Sequence, residues 1–89
     1  MPEREVVIVN KLGLHARAAA KFVALAATFD AAVEIRRGEK CVSGKSIMGV
    51  MMLAAAKGTR LTLAAYGADA EPALDALQEL VDNRFEEAE

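Results

Sequence analysis

Tryptophan is absent from this chain, and its aromatic residues are three phenylalanines and one tyrosine. A core without large ring plates has to come from Val, Leu, Ile, Met and Ala, and the 54% hydrophobic content supplies enough of them. The single cysteine, Cys41, has no intramolecular disulfide partner, and one histidine with one cysteine makes no zinc cluster. No metal and no soluble cofactor is expected. Cys41 reads as a small semi-buried strand residue, and a reducing, cytoplasmic compartment fits it. Neither sign of charge dominates: the net charge is −2, and the eleven Lys and Arg are spread along the chain. That excludes a nucleic-acid partner held by a basic patch. The apolar runs are too short and too interrupted for membrane insertion. The charged start, Met1-Pro2-Glu3-Arg4-Glu5, lacks the layout of a signal peptide. Repeats and linkers are also missing, so residues 1–89 are expected to form one domain, with a monomer as the default.

What is present alternates between strand and helix patterns. Glu5–Val9 is β-branched and predicts a strand. Ala16–Ala27 is alanine-rich, with Ala19, Phe22, Val23 and Ala26 on one helical face. Thr28-Phe29-Asp30 ends that helix, with Phe29 expected to turn back to the core. Ala32–Arg36 alternates apolar and charged residues, as a half-buried strand does. Arg37-Gly38-Glu39 reads as a hairpin turn and Lys40–Val42 as the returning strand. Ser46 suits the N-cap of a short helix, Ile47–Leu53. Arg60–Tyr66 is the last strand, stopped at Gly67. Asp69 is expected to cap a final helix with Glu71 and Pro72 in its first turn. Leu74, Leu77, Leu80 and Val81 form its buried stripe, with Phe85 near its end. Glu86-Glu87-Ala88-Glu89 reads as a solvated acidic tail. The order β-α-β-β-α-β-α predicts an α+β, open-faced β-sandwich: a four-stranded antiparallel sheet with three helices on one face.

Two stretches are chemically loaded. The first is Lys11-Leu12-Gly13-Leu14-His15-Ala16-Arg17, which runs into Ala18-Ala19-Ala20-Lys21-Phe22. It holds the only histidine, where an extended segment meets a helix. The unpaired N–H groups and positive dipole end of a helix start favour an anion. Arg17 adds charge-assisted hydrogen bonds to the same anion. An imidazole placed there is poised to meet a phosphate or a carboxylate, although a surface histidine that merely precedes a helix has the same pattern. The positive surroundings should favour the neutral, nucleophilic imidazole.

The second stretch is Ser43-Gly44-Lys45-Ser46-Ile47-Met48-Gly49-Val50-Met51-Met52-Leu53. It contains three of the chain's four methionines. A short helix cannot bury Ile47, Met48, Val50, Met51, Met52 and Leu53 together, so some must face outward. Exposed Met and Ile make an adaptable docking patch; the alternative is a helix wedged into the core with Met as filler.

Together, Asn10–Arg17 with Ala19–Val23 and Lys45–Met51 closely resemble the active-site and regulatory-serine segments of the HPr family. These are the histidine-containing phosphocarriers of the bacterial phosphoenolpyruvate-dependent phosphotransferase system. The resemblance covers nearly the whole chain, including the element order. It implies that His15 accepts a phosphoryl group on Nδ1 from phospho-enzyme I and passes it to enzyme IIA-type proteins, in sugar uptake or regulation. The Ala16 and Arg17 N–H groups would hold the phosphoryl oxygens, and the Arg17 guanidinium would balance their charge. Ile47, Met48 and Met51 would form the docking patch, and Lys21, Arg17 and Lys45 would steer acidic partners. Ser46 would be the target of an HPr kinase/phosphorylase. Such a protein is an intermediate in a relay and not a stand-alone enzyme.

Three departures stand out. Ala18 replaces the proline usual after the arginine. Ala24 and Ala27 stand where some members carry lysine. Met52–Gly58 and the ending at Phe85 with acidic residues look like NPr, the nitrogen-branch paralogue, whereas Lys45–Gly49 looks like the sugar branch. The nitrogen-branch regulatory carrier is therefore the alternative within the family. A non-catalytic regulator-binding module acting through Ser46 is the rival from another class, and His15 with Arg17 argues against it.

Overall fold

The computed structural model describes residues 2–88. Met1 of the charged start and Glu89 of the acidic tail lie outside the described residues. Four strands, β1 (Glu3–Val7), β2 (Ala32–Arg37), β3 (Lys40–Ser43) and β4 (Arg60–Tyr66), form one antiparallel sheet in the order β1-β4-β2-β3. Three helices, α1 (Ala16–Ala26), α2 (Ile47–Met52) and α3 (Ala70–Asp82), complete the predicted α+β order. β1 lies two residues earlier than the sequence pattern placed it. Ile8 still pairs at its edge, donating to the Thr59 carbonyl at 2.9 Å and accepting from Gly58 N–H at 2.7 Å.

Period-two alternation sorts the sheet into two faces. Val6, Val33, Ile35, Leu61, Leu63 and Ala65 are buried in the core with Phe22 of α1 and Leu74, Leu77 and Val81 of α3. The opposite face carries a polar network. Arg36 donates to Glu3 at 2.8 Å, to Glu34 at 3.2 Å and to the Tyr66 hydroxyl at 3.0 Å, and that hydroxyl donates to Glu34 at 3.0 Å. Cys41 pairs with Arg36 across the β2–β3 ladder and is exposed. The expected semi-burial fails because β3 is an edge strand and Cys41 lies on its open side. Phe29 is only partly covered, because the chain leaves α1 along the surface.

Asp69 occupies the N-cap position of α3 but makes no capping hydrogen bond. Its carboxylate instead accepts from Asp30 N–H at 2.9 Å and Ala31 N–H at 2.7 Å, tying the α1–β2 connection to the start of α3. Those two donors outcompete the cap because both lie in a loop with no ladder partner, where a charged acceptor is worth most. They also hold the Asp69 carboxyl below its ordinary range.

The connection Asn10–Leu14 delivers the chain from β1 to α1. Gly13 has φ +68, and a Cβ there would lie 2.5 Å from the Ala55 carbonyl oxygen and 2.9 Å from Ala56 Cα. The Ala55 carbonyl accepts from Leu14 N–H at 2.8 Å. Leu14 is 6% exposed and enters the core. The segment after α2 thus clamps the loop before α1. Gly13→Ala is expected to lower stability by roughly 1–2 kcal/mol for the left-handed backbone alone, with the steric clash adding to it. Urea denaturation checks this; an unchanged midpoint would show that the loop reorganises freely.

Candidate functional site

α1 begins at a histidine. His15 is the N-cap, with φ −76 and ψ 179, and its carbonyl accepts from Ala19 N–H at 2.9 Å. Its Nδ1 accepts from Arg17 N–H at 3.2 Å. Capping usually falls to the short oxygens of Ser, Thr, Asp or Asn; here a ring nitrogen takes the place. An acceptor nitrogen carries a lone pair and no proton, so this bond identifies Nδ1 as the unprotonated nitrogen. The His15 side chain is 28% exposed.

The Arg17 guanidinium is exposed and makes no ion pair or hydrogen bond among the described residues. Ala16 is exposed at the first helical position. Ala18 is fully buried, and the helix begins at Ala16. Lys21 is half-buried, and its Nζ donates to the Phe85 carbonyl at 2.8 Å and lies 3.7 Å from Glu86. A cleft of about 560 Å³ opens here, lined by Lys11, Leu12, Arg17, Lys21, Glu86, Glu87 and Ala88.

Glu87 departs from the expectation of a solvated terminus, whereas Glu86 and Ala88 are exposed as expected. Phe85 is fully buried, and its ring draws the chain back against the core. Arg84, Phe85 and Glu86 have φ of +56, +54 and +65, a left-handed turn in residues with side chains. Such backbone costs roughly 1–2 kcal/mol per residue, and the burial of Phe85 offsets it. The turn aims Glu87 at the site. Glu87 Oε2 bonds His15 Nε2, and Glu87 Oε1 accepts from the Asn10 side-chain amide at 3.0 Å. The same amide donates to the Gly13 carbonyl at 2.8 Å. Asn10 is fully buried, and its Oδ1 has no partner among the described residues. The sequence pattern assigns neither Glu87 nor Asn10 a part in the site; the signal available was an aromatic residue just beyond a helix, which cannot be left in water with the acids that follow it.

The second stretch is arranged largely as the sequence implied. Ser46 caps α2, its Oγ accepting from Gly49 N–H at 3.1 Å. Val50 is fully buried and Leu53 ends the helix in the core. Ile47, Met48 and Met51 are exposed, Met48 at 75%, and Met52 joins them. Lys45 Nζ donates to the Phe29 carbonyl at 2.8 Å. α2 packs on α1, so the apolar patch and the histidine belong to neighbouring elements.

Fold and site define a class: a small open-faced α+β protein with one imidazole capping a helix start. A family model described as PTS HPr component phosphorylation site matches residues 2–83, and the chain belongs to this family of phosphocarriers. It is 58% identical to the phosphocarrier protein HPr of Pseudomonas aeruginosa over 90 residues, covering all of both chains. It is 52% identical to the phosphocarrier protein NPr of Shewanella violacea over 86 residues, covering 97% of this chain and 94% of that one. Among solved structures, HPr-C-His of Thermoanaerobacter tengcongensis superposes with a TM-score of 0.96 at 42% identity, covering both chains fully. Among the described residues no helix is long and apolar enough to cross a membrane.

The Glu87 carboxyl lies below its ordinary value of 4.5, first because of the His15 hydrogen bond, with the Asn10 amide and the Lys21 charge adding to it against desolvation. A lowered folded-state value means that the tail contact is complete above the ordinary glutamate range. It is lost as the pH falls through the lowered value. The Glu87 side-chain carboxyl should therefore titrate with a midpoint below 4.5, and the Asn10 side-chain amide signals should follow it. Carbon-detected NMR checks this, and a Glu87 midpoint at or above that value would contradict the contact.

Proposed function

We propose that His15 takes a phosphoryl group on Nδ1 from the phosphohistidine of enzyme I and delivers it to enzyme IIA-type acceptors. The chain acts as a monomeric, cytoplasmic carrier. The observation that carries this reading is the bond from Arg17 N–H to His15 Nδ1. It leaves a lone pair on the nitrogen that points toward the helix start. When phosphorus bonds Nδ1, the Arg17 N–H loses that acceptor and turns to a phosphoryl oxygen. Ala16 N–H, also in the first turn, is a second donor. The Arg17 guanidinium, not committed to any described neighbour, balances the charge. None of these donors is buried, so the phosphoryl group is held loosely enough to leave.

Ile47, Met48 and Met51 receive the partners, with Lys21 and Lys45 at the margins. Flexible thioether side chains suit a surface that must fit a donor and several acceptors in turn. Ser46 is the regulatory target of an HPr kinase/phosphorylase. A phosphate there adds about two negative charges at the edge of the patch, where it would repel acidic partner surfaces. The sugar branch is the main reading and the nitrogen branch the alternative; relatives named for both are similar over at least 97% of the chain.

Mixing the protein with phosphoenolpyruvate and enzyme I should add one acid-labile phosphoryl group, seen by mass spectrometry. His15→Ala should abolish it. Arg17→Ala should slow it by about 100-fold, as expected for a lost charge-stabilising donor. Met48→Asp should weaken uptake while changing stability by no more than about 0.5 kcal/mol, because Met48 is a surface residue. Labelling that survives His15→Ala would sink the carrier reading. Adding sugar-branch and nitrogen-branch IIA proteins separately then sorts the two branches by which of them drains the label.

A further inference from the structure

The neighbours of the histidine specify more than its exposure. Its two ring nitrogens face opposite kinds of group. Nδ1 faces an N–H donor, from Arg17 at 3.2 Å. Nε2 faces a carboxylate, from Glu87. Only one neutral tautomer satisfies both: the proton on Nε2, the lone pair on Nδ1. The carboxylate is itself held from three directions. Asn10 donates to its other oxygen at 3.0 Å, the buried Phe85 anchors the turn before it, and Lys21 Nζ grips the Phe85 carbonyl at 2.8 Å. Asn10 also fixes the Gly13 carbonyl at 2.8 Å, so one buried amide ties the tail to the loop that carries the histidine.

We propose that Glu87 is the positioning residue for phosphoryl transfer at His15, a role that rests on the phosphocarrier reading above. Its carboxylate locks the imidazole in the Nε2–H tautomer and presents the Nδ1 lone pair to phosphorus. In the transfer step the Nδ1–P bond forms as the N–P bond of the donor phosphohistidine breaks. The donor ring, protonated on its far nitrogen, leaves as a neutral imidazole. His15 keeps its Nε2 proton, and its ring takes the positive charge. No net proton moves. The Glu87 carboxylate lies against that charge in the acceptor state, as the carboxylate of a catalytic triad lies against imidazolium. It has a second effect on the outgoing step. A ring that keeps its Nε2 proton is a good leaving group, so the same contact keeps the phosphoryl group transferable. Asn10 serves by holding the carboxylate, and the left-handed backbone of residues 84–86 serves by aiming it.

Two variants separate charge from tautomer. In Glu87→Gln the amide oxygen still accepts from Nε2–H but carries no charge; in Glu87→Ala both are lost. Ring nitrogen spectra of the ¹⁵N-labelled protein, at a pH where the imidazole is neutral, should show one tautomer in the wild type and in Glu87→Gln. They should show a mixture in Glu87→Ala. Uptake from phospho-enzyme I should fall about 10- to 100-fold in Glu87→Ala, the scale seen when the outer partner of a metal-bound histidine is lost, and by less in Glu87→Gln, which keeps the tautomer. Glu79→Ala, on the outer face of α3, should match the wild type in both measurements. Backbone amide spectra verify that each variant is folded. An unlabelled wild type would overturn the carrier reading; the tautomer measurement needs no transfer and stands apart from it. A labelled wild type with Glu87→Ala unchanged in tautomer and rate would overturn the role of Glu87 alone.

Discussion

The hydrogen bond from Arg17 N–H to His15 Nδ1 is the constraint on which the arrangement turns. A helix start needs an acceptor for its first N–H groups, and a phosphoryl acceptor needs a nitrogen without a proton. Both needs are met by the same lone pair. The cap is weaker than a charged oxygen would provide, and that weakness is useful. A nucleophile buried in strong donors would be neither reachable nor able to release what it took. The rest of the fold holds this contact in place: Leu14 enters the core, Gly13 packs on the Ala55 carbonyl, and Asn10 fixes the Gly13 carbonyl from below.

Element order and sheet faces were legible in the sequence because they follow from local periodicity. Glu34 and Arg36 alternate with Val33 and Ile35, and the structure sets the first pair on the open face and the second in the core. The helix with three methionines had too many apolar residues for one buried face, and Ile47, Met48, Met51 and Met52 are accordingly exposed. What failed concerned partners distant in sequence. Asp69 has the residue type and position of a cap, yet its carboxylate answers Asp30 and Ala31. Nothing local distinguishes the two outcomes, because the choice depends on how the loop after α1 comes to lie beside α3. Cys41 is exposed for the related reason that strand order, not strand pattern, decides which strand is an edge.

The site divides along the same line. His15, Ala16 and Arg17 adjoin in sequence, and a helix start brings their groups together without help from the fold. Asn10 and Glu87 are 77 positions apart, and their meeting requires the turn at residues 84–86. That turn breaks a local rule three times, with positive φ at Arg84, Phe85 and Glu86. Intrinsic preference would continue the helix or let the chain fray into water. Burial of one phenylalanine overrides it, and side chains two residues further on are carried with it.

The electrostatic sense of the site follows from this division. The helix start and Arg17 alone present donors and positive charge near the imidazole. With the tail in place, the ring lies between a backbone N–H at Nδ1 and a carboxylate at Nε2. A neutral ring needs only the local set to become a nucleophile. A ring that has bonded phosphorus is positive and meets a phosphoryl group that is negative, so it needs a counter-charge of each sign at separate points. Arg17 can answer the phosphoryl oxygens, and Glu87 lies at Nε2 on the opposite side of the ring. The separation matters because a carboxylate near Nδ1 would repel the incoming group, whereas at Nε2 the ring itself stands between them. A carrier has to tolerate both states with little difference in free energy, and a backbone donor at one nitrogen with a carboxylate at the other is a way to reach that balance with one imidazole.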